Sequence, residues 1–130
     1  MTRLLLCLLA VAFADTLPAA AQQMNEKDSP CPNAVTTIDL RSCFEKAREA
    51  ADAELNTLYK QVRGKLDGED EKRLVAAQRL WIQYRDANCT AERELYAGGT
   101  AAGPVYLACM EAMTRARTKE LRVTYAVRLK

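Results

Sequence analysis

Gln78, Trp81, Arg85 and Asp86 recur at helical spacing within one stretch that ends at Cys89. Amide, indole N–H, guanidinium and carboxylate groups in this order do hydrogen-bonding and ion-pair chemistry rather than bond cleavage. On a helix that faces a core each needs a partner, because a buried polar group left unpaired costs roughly 1 to 3 kcal/mol. Asp52 and Asn56, one helical turn apart and so on one face, are the candidate partners. The six residues read as one structural polar network between two helices, with Arg85 paired to Asp52 and Asn56 accepting from the Trp81 indole. A layer of this kind fixes helix register. If exposed, the same residues become a contact site instead.

Catalytic groups are few. The chain has no histidine, so the usual general base near neutral pH and every Ser-His or Cys-His pair are absent. Glu69, Asp70 and Glu71 are successive, point in different directions on a helix, and suit the positive N-terminus of one. The segment Gly98-Gly99-Thr100-Ala101-Ala102-Gly103 precedes a helix but lacks the strand, spacing and lysine of a phosphate-binding loop. It reads as an interhelical turn, with Gly98, Gly99 and Thr100 as a candidate partner-contacting loop. We therefore expect no enzyme, no cofactor and no metal.

The N-terminus has a basic start at Arg3, an apolar run of 11 residues from Leu4 to Ala14, and the small residues Ala19-Ala20-Ala21. This is the layout of a secretory signal peptide covering 1–21, and the run falls short of the about 20 residues that a bilayer span needs. Its removal leaves no stable membrane insertion and discards Cys7, one of five cysteines. The remaining Cys31, Cys43, Cys89 and Cys109 form an even set in a short exported chain, which reads as a disulfide framework in a periplasmic or secreted protein. A four-thiolate zinc site is the competing reading, but the close Cys-x-x-Cys pairs that zinc favours are missing. Of the three connectivities, Cys31 to Cys43 with Cys89 to Cys109 closes the shortest loops.

The elements that must position these groups follow from periodicity. Residues 22–36 are polar, carry Pro30 and Pro32, and read as an extended lead-in held down by Cys31. From Thr37, Leu40, Cys43, Phe44, Ala47, Ala51, Leu55, Leu58, Val62 and Leu66 alternate at steps of three and four, the mark of an amphipathic helix capped by Thr36 or Thr37 and ended by Asp67-Gly68. A second helix starts at Glu69 with Leu74, Ala77, Trp81 and Tyr84 inward. Pro104 opens a third, lined by Val105, Cys109, Met113, Ala116, Leu121 and Val127. Short connections favour antiparallel neighbours, so the fold class is all-α: one domain over 37–130, an antiparallel three-helix bundle stapled by two disulfides. Folding about Gly68 brings Asp52 opposite Arg85 and Asn56 opposite Trp81. Folding about Gly99 brings Cys89 opposite Cys109.

The last helix is rich in cations (Arg115, Arg117, Lys119, Arg122, Arg128 and Lys130), a pattern that suits either a solvated face or contact with anionic wall or lipid polymers. A net charge of only +2 on an exported chain excludes nucleic acid as a partner.

Asp52-Ala53-Glu54-Leu55-Asn56 with Tyr59, the run Gln78 to Asp86 with Cys89, Gly98-Gly99-Thr100, Cys109, and Thr114 with Arg117 and Leu121 form a recognisable pattern. With these, the chain resembles the LprI-like lysozyme-inhibitor domain family of small exported bacterial proteins. The resemblance implies a helical, disulfide-bearing envelope protein whose partner is a lysozyme-type muramidase, with occlusion of the muramidase cleft as the mode of action. An envelope interaction module contacting anionic polymers is the alternative. An inhibitor steered electrostatically to a basic lysozyme would be acidic, whereas this chain is slightly basic.

Overall fold

The computed structural model describes residues 23–130, so the expected signal peptide, its cleavage site and Cys7 lie outside the described residues. Three helices follow a single 3-10 turn at Gln23–Asn25: α1 Thr37–Arg63, α2 Gly68–Glu94 and α3 Ala102–Thr124. No strand occurs among the described residues, and none of their helices is long and apolar enough to cross a membrane.

Thr36 caps α1 reciprocally. Its hydroxyl accepts the Asp39 N–H at 3.1 Å, and the Asp39 carboxylate accepts the Thr36 N–H at 3.2 Å, which satisfies donors that a helix start leaves free. The apolar stripe then buries Phe44, Ala51, Leu55, Leu58 and Val62. The helix stops at Arg63 with Gly64 as its cap, short of the expected Asp67-Gly68. Leu66, read as the last turn of α1, lies in the linker and packs against the core from there. Gly68 does adopt left-handed backbone, φ 48°, but as the first residue of α2. The three carboxylates that follow each find a cation: Glu69 pairs with Lys72, Asp70 with Arg73 and Glu71 with Arg63.

Helix α1 lies chiefly against α3, α2 also packs on α3, and α1 and α2 meet at few points. The expected bundle is present: α2 packs on α3, and it meets α1 more sparsely, through Leu74 in the cluster of Leu55, Leu58 and Val62 and through the Asp52–Arg85 and Arg63–Glu71 pairs. The reason lies in α3, which buries residues from Pro104 to Leu121 on more than one side and so serves both other helices, whereas α2 buries only Leu74, Gln78 and Cys89. Phe44 joins Ala108 near the start of α1 and α3, and Leu55, Leu58 and Val62 join Leu121 near their ends, so these two helices run in the same sense. Partners across α2 and α3 run oppositely: Cys89 bonds Cys109, whereas Gln78, earlier in α2, meets Arg117, later in α3.

Both disulfides take the shortest-loop pairing, Cys31 with Cys43 and Cys89 with Cys109. The first ties the lead-in to α1 and the second ties α2 to α3. The lead-in is not simply extended: its 3-10 turn packs on α3, Met24 joins Phe44 and Ala108, and Cys31 is buried. Four residues read as inward face solvent, namely Ala77, Tyr84, Ala116 and Val127.

The lead-in is also tethered electrostatically, by Arg115 on α3 donating to Asp28 at 2.7 Å. That hydrogen bond is the main reason the Asp28 carboxyl is held below its ordinary range, with its own backbone N–H and the Arg115 charge adding to it. A depressed carboxylate pKa means that the tether is fully formed above the unfolded value and is lost as pH falls through the folded one. In Arg115→Ala we expect the Asp28 titration midpoint, followed by carboxyl-carbon NMR, to rise toward an ordinary aspartate. An unchanged midpoint would mean that the pair does not form in solution.

Candidate functional site

The groups singled out by their chemistry gather where the three helices meet. Arg85 of α2 donates through Nη1 to Asp52 Oδ1 on α1 at 3.2 Å and to Thr114 Oγ1 on α3 at 3.1 Å. Its Nε donates to Asp86 Oδ1 at 3.0 Å. Asp52 is shared: Arg48, one turn earlier on α1, donates to its Oδ2 at 2.7 Å, and the Thr114 hydroxyl donates to Oδ1 at 3.4 Å. The Arg85 side chain is 12% exposed and that of Asp52 28%. A guanidinium in a fixed fork fits this task, because it can serve an α1 carboxylate and an α3 hydroxyl together.

Gln78 faces inward on the same side of α2 but joins a second arm of the layer. Its Oε1 accepts from Nε of Arg117, a residue only 9% exposed, at 3.1 Å, and the Arg117 guanidinium also pairs with Glu120 at 2.9 Å. Trp81 links the two arms. The guanidinium carbons of Arg85 and Arg117 lie over its ring, 5.1 and 5.8 Å from the centroid, an arrangement in which the negative face of the indole attracts both cations. Asn56 is not part of this. It is exposed on α1, and its side chain has no hydrogen-bond partner among the described residues, so the expected bond from the Trp81 indole is absent.

Thr114, Arg117 and Arg48 were not read as members of this layer. Arg117 stood among the cations of the third helix. The signal for its burial is register: Met110, Thr114, Arg117 and Leu121 follow steps of four, three and four, and all are buried, whereas the line first drawn through Met113 and Ala116 is rotated outward.

Each network carboxylate is engaged by a guanidinium, and the four cysteine sulfurs among the described residues are bonded. No group of three His, Cys, Asp or Glu side chains among the described residues is placed to hold a metal ion. Among the described residues the Glu92 carboxyl is raised above its ordinary range, by burial.

The other candidate, the loop after α2, stands at the end of the bundle where α1 and α3 begin. Gly98 takes φ 81°, and Gly98, Gly99 and Thr100 are exposed. Gly99 and Thr100 line a groove of about 370 Å³ with Thr37, Ile38, Arg41 and Pro104. Ile38 is 81% exposed beside it. Arg41 is exposed and has no ion-pair partner among the described residues.

The family model described as "Lysozyme inhibitor LprI" matches residues 28–121, a span that holds both disulfides, the arginine layer and the glycine loop. The chain belongs to the LprI family. An uncharacterized protein of Rhizobium meliloti (strain 1021) is 34% identical over 127 residues, covering 88% of this chain and 89% of its own length. No solved structure matches. In this LprI chain the segment from Gln78 to Cys89 contributes Arg85, Gln78 and Trp81 to the polar layer and Cys89 to the disulfide.

The layer sets measurable energies. Arg85→Ala removes the link from α2 to α1 and α3, but Asp52 keeps Arg48, Thr114 and partial exposure, so we expect a loss of about 2 kcal/mol. Arg117→Ala leaves the Gln78 amide buried without its donor and should cost a similar amount, about 1 to 3 kcal/mol. Urea denaturation of the oxidised protein measures both. Losses below about 0.5 kcal/mol would place these arginines with ordinary surface cations.

Proposed function

We propose that the protein is an exported, non-enzymatic inhibitor of a lysozyme-type muramidase, which it occludes with the bundle end that carries Gly98, Gly99 and Thr100. The observation that carries this reading is the family match across residues 28–121. Two disulfides in a short chain fit an oxidising compartment. On this reading residues 1–21 are a signal peptide, 22–36 a lead-in and 37–130 the working domain, active in the periplasm or after secretion.

The bundle end suits a cleft-blocking role. Muramidases cleave with a pair of carboxylates flanking the scissile bond, and Arg41 offers a guanidinium that no carboxylate among the described residues engages. Exposed Ile38 and the Cβ-free Gly99 beside it allow close apolar approach. A net charge of +2 supplies no long-range attraction to a basic lysozyme, so affinity rests on contact at this end and association depends weakly on salt. The polymer-binding alternative is less supported. Arg115, Arg117 and Arg122 of its basic helix are engaged by Glu111 and Asp28, by Glu120, and by Glu54.

A clearing assay on bacterial walls tests the proposal. Purified oxidised protein should slow muramidase in a dose-dependent way, and Arg41→Glu should weaken inhibition at least tenfold without changing thermal stability. Unchanged clearing rates at excess protein, with no complex by calorimetry, would overturn it.

A further inference from the structure

One face of α2 has no partner among the described residues. Ala77, Leu80, Tyr84, Ala87, Ala91 and Leu95 succeed one another at steps of three and four and therefore form one stripe. All six are exposed, with Leu80 at 65%, Tyr84 at 62% and Leu95 at 80%. At 1.5 Å per residue the stripe runs about 27 Å along the outside of the bundle. The same helix turns Leu74, Gln78, Arg85 and Cys89 inward. A helix that directs an arginine and an amide to the core and a continuous apolar line to solvent has a second packing surface.

The order of side-chain sizes on this stripe identifies what covers it. From Ala77 to Leu95 it reads small, large, large, small, small, large. Reversed, it reads large, small, small, large, large, small, which is complementary at every position. We propose that α2 is a self-association face, on which two copies of this chain pair antiparallel about a two-fold axis passing between Arg85 and Asp86. Leu80 then meets Ala91 of the second copy, Tyr84 meets Ala87, and Ala77 meets Leu95, each large side chain filling the space left by a small one.

A two-fold pairing requires a surface complementary to itself, and this stripe meets that requirement. It carries no charge, so two chains of like net charge do not set repelling groups against each other along it, and the antiparallel helix dipoles oppose favourably. Contact along one pair of helices falls below the about 1,200 Å² of standard interfaces, so the dimer is reversible. The glycine loops remain free at opposite ends. The inference is independent of the muramidase reading.

Sedimentation velocity on the oxidised protein, from about 10 μM to about 1 mM, reads the dimer directly. We expect a concentration-dependent monomer–dimer equilibrium. Leu80→Lys combined with Tyr84→Lys should raise the dimer dissociation constant at least tenfold, with helicity and thermal midpoint unchanged because both side chains are exposed. Ala87→Glu, which sets a charge against Tyr84 of the second copy, should do the same by an independent route. A monomer at every concentration, or an undiminished dimer in the folded variants, would overturn the proposal. It would also be overturned by a monomeric wild type whose muramidase affinity falls on Leu80→Lys, which would assign the face to that partner.

Discussion

Arg85 is the side chain on which the bundle turns. Helices α1 and α2 meet at few points, and α2 buries little of itself, yet one guanidinium on α2 reaches a carboxylate on α1 and a hydroxyl on α3 at once. A cation placed there must be matched, and Asp52 and Thr114 match it in one helical register only. A slip of one residue along α2 would turn the guanidinium by about 100°, away from both partners, and leave the Asp52 carboxylate without its α2 cation. The apolar clusters give the domain its stability, and the arginine layer determines how its helices align.

That alignment has two structural consequences. It brings Cys89 opposite Cys109, where the disulfide makes the α2–α3 contact permanent, and it presents the glycine loop beside the start of α1, where Thr37, Ile38 and Arg41 complete a groove. Within the arginine layer the carboxylates are held by guanidiniums, and the four described cysteine sulfurs are bonded to one another. What stays unengaged lies on the outside, at Arg41 and along the apolar side of α2. A scaffold with engaged interior groups and an open exterior fits the contact-based role proposed above.

Much of this was legible in the residues. The α1 stripe is regular enough that Phe44, Leu55, Leu58 and Val62 could only face inward together, and a hairpin about Gly68 sets Asp52 opposite Arg85 on spacing alone. Both disulfide pairings followed from loop length and register. Helix α2 was harder, because it carries two apolar lines and the stronger one points outward. Periodicity alone assigned Ala77 and Tyr84 to the core, where the protein instead buries Gln78 and Arg85. Asn56 was read as inward because it shares a helix face with Asp52, but the face it shares lies at the rim, where water can serve its amide. Arg117 was hidden among surface cations, although its steps to Thr114 and Leu121 mark it as inward. Charge type misled where register would have served.

The central claim, that the Asp52 to Arg85 contact couples the helices, is tested most directly by a double-mutant cycle on unfolding free energy with Asp52→Ala, Arg85→Ala and the pair. A coupling energy of about 1 kcal/mol or more is the predicted result, since the two side chains touch and share Thr114. Additive effects within about 0.3 kcal/mol would contradict it, because that is the behaviour of residues that do not interact.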